Sequence, residues 1–228
     1  MEYNSSYEWT KYIQSLSEIA YPAEYVIRIF KGKYPRLNLD KNFHNKKICD
    51  VGCGSGRNFV LLQECGFDLY GVEISDVIVA KVRSNLIKMN INDADIRVGS
   101  NLDIPFDDDY FDYLLSWNGC YYMGDNRNFD DYVKEFAHVL KPEGYLILSI
   151  PKKTCFIYQD SELLNKGYII VKNDPFNIRN GEILRIFENE EEIIQSFSKH
   201  FKNFVFASVE DDCFGYNYHW HLVICRKK

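Results

Sequence analysis

The chain has 228 residues and a formal net charge of −6, a length that fits one elaborated domain and excludes two independent ones. Its 46% hydrophobic and 26% charged residues exclude a disordered chain, and a core of this size needs no disulfide or metal staple. Asp and Glu outnumber Lys and Arg by 33 to 27, against the basic face that a nucleic-acid binder presents.

One number stands out. With 17 Tyr, 16 Phe and 3 Trp, aromatic residues make up 16% of the chain. Rings in that number fill a large core or line a pocket, and composition leaves both open.

In chain order, residues 7–34 read as one or two helices broken at Tyr21-Pro22, with Ile13, Leu16, Ile19, Val26, Ile27, Ile29 and Phe30 on apolar faces. Arg28, Lys31, Lys33 and Arg36 are diluted by neighbouring acids and read as a solvated face. Residues 35–45 form a polar connector. A first strand, residues 47–51, runs into a glycine loop, and a helix at 59–64 ends near Gly66. A second strand at 68–73 leads through Ser75, a natural N-cap, into a helix at 77–89. Residues 95–98 and 112–116 are the third and fourth strands. A helix at 127–140 stops at Lys141-Pro-Glu-Gly144, before a fifth strand at 145–150.

Strands alternating with helices predict βαβ units, a mostly parallel sheet, and a ligand site beyond the carboxyl ends of the strands. After Pro151 the rhythm changes. Residues 167–171 and 181–187 predict a hairpin across Asp174-Pro-Phe-Asn, residues 190–200 a helix, and residues 204–208 and 219–225 the last two strands.

Seven cysteines, at 49, 53, 65, 120, 155, 213 and 225, form no Cys-x-x-Cys pair, as expected of free thiols in a reducing compartment. His219 and His221 share one face of a strand and are read as no metal site; no metal is expected. The N-terminus has no basic or apolar leader and no window holds 18 apolar residues, so a cytoplasmic protein without a membrane partner is expected, as a monomer or homodimer.

Asp50-Val-Gly-Cys-Gly-Ser-Gly56 carries the most information. A glycine turn from strand to helix lets a ligand approach the backbone with no Cβ in the way. Dinucleotide sites use Gly-x-Gly-x-x-Gly, whereas here the spacing is Gly-x-Gly-x-Gly with a carboxylate two residues ahead. That charge suits an ammonium-bearing ligand better than a pyrophosphate. No Gly-Lys-Ser/Thr follows, so this is not a Walker loop. Glu73 ends the second strand, where a carboxylate accepts both hydroxyls of a ribose, although a surface or capping acid also fits there.

These residues, with Tyr70-Gly-Val-Glu-Ile-Ser75, Leu102-Asp-Ile-Pro-Phe-Asp-Asp-Asp-Tyr-Phe-Asp112 and Val139-Leu-Lys-Pro-Glu-Gly-Tyr145, resemble the class I S-adenosylmethionine-dependent methyltransferases over residues 46–150. The resemblance implies an α/β three-layer sandwich on a seven-stranded, mostly parallel sheet, its last strand antiparallel between the fifth and sixth. The chain would divide into a helical cap, residues 1–45, and a cofactor-binding domain, residues 46–228, with an insertion at about 152–187 after strand 5. Asp50, Gly52, Cys53, Gly54 and Gly56 would hold the methionine portion of S-adenosylmethionine, Glu73 and Ile74 the ribose, and Ser100, Asn101 and Leu102 the adenine. Ser116 and Trp117 would complete the cofactor site, and the product would be S-adenosylhomocysteine. Relatives place an Asp where Ser100 stands, so the adenine amine would fall to the Asn101 carbonyl or the Ser100 hydroxyl. Asp107, Asp108 and Asp109 read as turn acids.

A sulfonium methyl is already activated, so the resemblance points to no catalytic residue; alignment and exclusion of water suffice. The Asn/Asp-Pro-Pro-aromatic element of nucleic-acid amino-methyltransferases is absent after the fourth strand, where Ser116-Trp-Asn-Gly-Cys-Tyr-Tyr-Met123 stands instead. A small-molecule acceptor is therefore expected, nucleic acid not, with Tyr12, Asn118, Tyr121 and Tyr122 near it and Cys120 a packing thiol. Rings at Tyr3, Tyr7, Trp9, Tyr12 and Tyr21, and at Phe156, Tyr158, Tyr168 and Phe176, would cap it and favour a planar or cationic acceptor. Two alternatives remain: a cofactor-binding protein without turnover, and a methyltransferase acting on RNA or protein.

Overall fold

The computed structural model describes residues 5–15, 21–124, 128–165 and 167–228. Leu16, Ile19 and Tyr3 of the expected helical cap lie outside them.

Two helices come first, α1 (Ser5–Ser15) and α2 (Glu24–Lys31), separated around Pro22 as the sequence predicts. The ring fixes φ and has no N–H to donate, so a helix ends before it and restarts after it. The alternating half follows: β1 (Lys47–Val51), α3 (Phe59–Glu64), β2 (Asp68–Glu73), α4 (Asp76–Lys88), β3 (Asp95–Val98) and β4 (Phe111–Ser116). The Ser75 Oγ caps α4 by accepting from the Ile78 N–H at 3.3 Å. Beyond these come β5 (Tyr122–Met123), α5 (Phe129–Val139), β6 (Leu140–Pro151), β7 (Ser161–Asn165), β8 (Tyr168–Val171), β9 (Ile183–Arg185), α6 (Glu190–Phe197), β10 (Phe201–Cys213) and β11 (Tyr216–Lys227).

The main sheet has seven strands in the order β10-β11-β6-β4-β1-β2-β3. Strands β3, β2, β1, β4 and β6 are parallel, and β11 runs antiparallel between β6 and β10. This is the sheet that the resemblance implied. Its strands are buried on both faces, because successive residues belong to different cores. Ile48, Leu115 and Ile147 pack with Phe30, Leu62, Val79 and Leu86 from α2, α3 and α4. Cys49, Leu114 and Leu148 pack on the opposite face with Val133, Phe136 and Phe197 from α5 and α6. The result is three layers, with the carboxyl ends of β1, β2 and β4 open to one cleft.

Three features differ from the expectation. Strand β6 begins at Leu140 rather than 145, absorbing the Lys-Pro-Glu-Gly segment in an irregular stretch where Glu143 adopts φ 64°. The last two strands are far longer than expected and meet in a two-residue turn, Phe214-Gly215, with φ of 51° and 95°. Positive φ at both turn positions matches the twist of the strands, yet Phe rarely adopts it, so no turn signal shows.

The third difference matters for function. The hairpin expected around Asp174 exists as β8 and β9, but it belongs to a four-stranded sheet, β5-β9-β8-β7. Strand β5 is two residues of the loop after β4, with Tyr122 opposite Leu184 and Met123 opposite Ile183. A pairing across some 60 residues leaves no local periodicity, and it carries the insertion to the mouth of the cleft.

Gly71 sits mid-strand in β2 beneath the glycine loop. A Cβ there would lie 2.9 Å from both Ile96 Cδ1 and Phe59 Cζ, and 3.2 Å from Cys53 Sγ. Gly71→Ala is expected to destabilise the fold by about 1–3 kcal/mol through overpacking. Urea unfolding should show a lowered midpoint with unchanged slope.

Candidate functional site

A cavity of about 370 Å³ opens at the carboxyl ends of the strands, within the size range of small-ligand clefts. Its floor is the glycine loop. Gly52, Gly54 and Gly56 have φ of 73°, 62° and 82°, a region that side chains disfavour. The three do different things. A Cβ at Gly52 would meet nothing within 4 Å, and one at Gly54 only Ile13, so these two leave the floor bare for a ligand. A Cβ at Gly56 would press on Val82 and Leu86 at 3.3 Å; this glycine seats the loop on α4 and does not line the cavity.

Glu73 stands on one wall, buried, with Oε1 accepting from the Gly54 N–H at 2.6 Å and Oε2 from the Ile74 N–H at 3.0 Å. Burial raises its pKa, and the two N–H groups pull it back. Each oxygen keeps a lone-pair site, so the fixed carboxylate can still accept two hydroxyls.

Asp50 lies one layer deeper, 1% exposed, and does not line the cavity. The reason is a neighbour that sequence reasoning missed. Asn58 donates its Nδ2 to Asp50 Oδ2 at 3.0 Å and lines the cavity in its place, as does Arg57. Both follow Gly56 directly at the mouth of α3, which is the signal that could have found them. Asn58 Oδ1 also accepts from the Ala23 N–H at 3.1 Å, tying the start of α2 to the loop. Asp50 Oδ1 is buried with no hydrogen-bond partner. Burial pushes the Asp50 carboxyl up to about 7, opposed by the Asn58 hydrogen bond and the Arg57 charge.

Ser100, Asn101 and Ile74 line the cavity, while Leu102 turns into the core under it. Asn101 donates Nδ2 to the Gly119 carbonyl at 3.0 Å, leaving its Oδ1 for a ligand donor. Trp117 and Asn118 line the cavity from the loop after β4. Asn118 has φ 59° and is held there by Ser149, whose Oγ accepts from its N–H at 2.7 Å and donates to its Oδ1 at 2.8 Å. Ser116 and Tyr121 are 0% and 1% exposed and fall behind the lining, Tyr121 stacked on Tyr122 at 4.9 Å. Cys120 is a buried thiol whose pKa burial pushes up, as a packing residue requires.

The remaining wall comes from the two ends of the fold. Trp9, Tyr12 and Ile13 of α1 line the cavity, with the Trp9 ring edge-on to Tyr12 at 5.8 Å and to Tyr122 at 5.5 Å. Trp9 Nε1 donates to Glu182 Oε1 at 3.0 Å, joining the helix to the insertion. The insertion contributes Ile178 and Arg179, not the rings expected of it. Phe156, Tyr158, Tyr168 and Phe176 are spent elsewhere: Tyr158 donates to the Arg185 carbonyl, and Phe156 packs against Phe176 and Tyr218. Nothing in the local sequence marks Arg179, because the strand pairing of β5 with β9 places it.

Arg28, Lys31, Lys33 and Arg36 do not line the cavity; Arg28 pairs with Glu24 and Lys31 with Glu64. Asp108 and Asp109 pair with His138 and Lys227. His219 meets Thr154, and His221 lies 3.7 Å from Glu190, both outside the lining. Among the described residues no cluster of His, Cys, Asp and Glu could hold a metal ion, and no helix is long and apolar enough to cross a membrane.

Residues 49–148 match the family model described as a methyltransferase domain. Over these residues the chain is similar to a methyltransferase domain. A probable tocopherol O-methyltransferase, chloroplastic, of Oryza sativa is 31% identical over 105 residues, 45% of this chain and 28% of that protein. A ubiquinone biosynthesis O-methyltransferase of Pelagibacter ubique is 28% identical over 142 residues, 61% of this chain and 55% of that protein. The chain thus spans under two thirds of the length of these relatives. The solved structure of a SAM-dependent methyltransferase of Methanosarcina mazei superposes with a TM-score of 0.66 at 21% identity, covering 86% of this chain and 98% of that one. The methyltransferase domain match contains the glycine loop, Glu73 and Asn101, whereas Trp9, Tyr12, Ile178 and Arg179 lie outside it.

The Asp50 carboxyl stands at about 7 in the folded protein against 3.8 when exposed, so folding disfavours its ionised form. Its cost is absent below the unfolded value, grows as pH rises, and is complete above about pH 7. Asp50→Asn is expected to stabilise the ligand-free protein at pH 8 by at most ~4 kcal/mol, and by much less at pH 5. Thermal melts at the two pH values check the sign.

Proposed function

We infer that this chain transfers the methyl group of S-adenosylmethionine to a small-molecule acceptor. One observation carries the reading: a floor left bare at Gly52 and Gly54 and the fixed Glu73 carboxylate meet at a single cavity, with an unpartnered Asp50 carboxylate oxygen buried one layer behind it. These residues fit the cofactor. Glu73 would take the ribose diol, the Asn101 carbonyl the adenine amine, and Asn58 backed by Asp50 the ammonium of the methionine end. When bound, S-adenosylmethionine supplies a methyl group already activated on a sulfonium.

The protein's part is then orientation and dryness. Ser149 holds Asn118 and with it the loop that carries Trp117. Trp9 and Tyr12 cover the acceptor side and keep water out, and aromatic faces there stabilise positive charge. The names of the relatives speak of small organic acceptors, tocopherol among them, which supports the same class here. The seven cysteines are all free, which fits a cytoplasmic setting.

Glu73→Gln removes the charge but keeps the size of the side chain. It is expected to weaken S-adenosylhomocysteine about ten- to hundred-fold in calorimetry, the value of one or two charge-assisted hydrogen bonds. Unchanged affinity in a folded variant would reject the assignment, and heat from NAD but not from S-adenosylhomocysteine would reject the cofactor class.

A further inference from the structure

Three charged residues line the cavity among those described: Glu73, Arg57 and Arg179. Glu73 is fixed by the Gly54 and Ile74 amides and would face the cofactor's ribose. Arg57 follows the glycine loop directly, where the methionine end of the cofactor would lie. Arg179 belongs to neither, since it enters from the insertion, on the side of Trp9, Tyr12 and Tyr122.

The surroundings of Arg179 are those of a built anion seat. Its side chain is only 15% exposed. Nη1 donates to Asp174 Oδ1 at 2.9 Å and Nε donates to the Tyr122 hydroxyl at 3.0 Å. Asp174 is wholly buried behind it, and its other oxygen accepts from the Ile178 N–H at 3.0 Å. The Phe156 ring lies 5.8 Å below the guanidinium. Held on one edge by a carboxylate and on another by a phenol, the fork cannot turn, and Nη2 with its two hydrogens has no hydrogen-bond partner among the described residues. A guanidinium fixed in this way matches a planar oxyanion, and leaving its donors unmet is costly. A cationic acceptor would meet this charge at close range, which turns the expectation drawn from the aromatic rings alone.

We propose that the acceptor carries a carboxylate, or an equivalent planar oxyanion, and that Arg179 selects it by charge-assisted hydrogen bonding from its open edge. This rests on the methyl-transfer reading for the word acceptor, but not for the binding itself. A neighbouring ring of the same molecule would lie against Trp9, Tyr12 and Tyr122. Asp174 and the Tyr122 hydroxyl position the guanidinium and do not themselves touch the carboxylate.

The test is calorimetry on the protein saturated with S-adenosylhomocysteine. The probes are small planar acids (benzoate, cinnamate, nicotinate), their uncharged amides and the matching amines. At least one acid is expected to bind ten-fold or more tighter than its amide, with the amines weakest. R179Q should abolish that preference while leaving S-adenosylhomocysteine affinity unchanged, and R179K should keep part of it. A purely structural strut would lower the melting temperature without altering the order of acid, amide and amine. Should R179Q fail to fold, R179K decides, because a point charge without the fork must lose several-fold in acid affinity. The proposal falls if no acid binds, if amides or amines bind as well as acids, or if the preference survives R179Q. Failure of S-adenosylhomocysteine to bind would overturn the cofactor reading instead, and the acid preference would then be scored on the protein alone.

Discussion

The hydrogen bonds from the Gly54 and Ile74 amides to Glu73 hold this site together. They join the loop after β1 to the end of β2, two segments that leave parallel strands and would otherwise diverge. With the Glu73 oxygens bound, Gly52 and Gly54 keep their left-handed backbone and the cavity floor stays bare. A carboxylate that satisfies backbone donors and still offers lone pairs is both a brace and a binding group.

Asp50 shows the other side of the same arrangement. Its Oδ1 is buried without a partner, and burial lifts the carboxyl to about 7. Native cores seldom leave such an atom unmet, and an orphan at a functional site is one of the few circumstances that explain it. Here the orphan oxygen sits one layer behind the cavity lining. Asn58 connects that deep charge to the cavity surface and also ties α2 to the glycine loop.

The cavity wall around Arg179 is assembled from distant parts of the chain. Strand β5 is only two residues long, yet its pairing with β9 brings Arg179 beside Tyr122. Trp9 closes the same wall from α1 through Glu182. The aromatic excess divides accordingly. Phe30, Phe59, Phe136, Phe197 and Phe201 fill the two cores, while Trp9, Tyr12, Trp117 and Tyr122 face the cavity. Tyr121, next in sequence to Tyr122, goes to the core, as alternate residues of an extended segment must.

The glycine-loop side of the cavity was legible because its signals are local. A strand, three spaced glycines and an acid at the end of the next strand lie within residues 47–73, and each needs its own residue type for a backbone or charge reason. The parallel sheet was legible for the same reason, through alternating periodicities. Tertiary structure alone decided what depends on pairing between distant segments: the second sheet, the length of the β10–β11 hairpin, and the place of Arg179. It also decided burial, setting Asp50, Gly56, Leu102, Ser116 and Tyr121 behind the lining and bringing Arg57 and Asn58 onto it. Residue type and spacing determine which chemistry a loop can support. Which atoms face a ligand is determined by what packs behind them, and that packing comes from the rest of the chain.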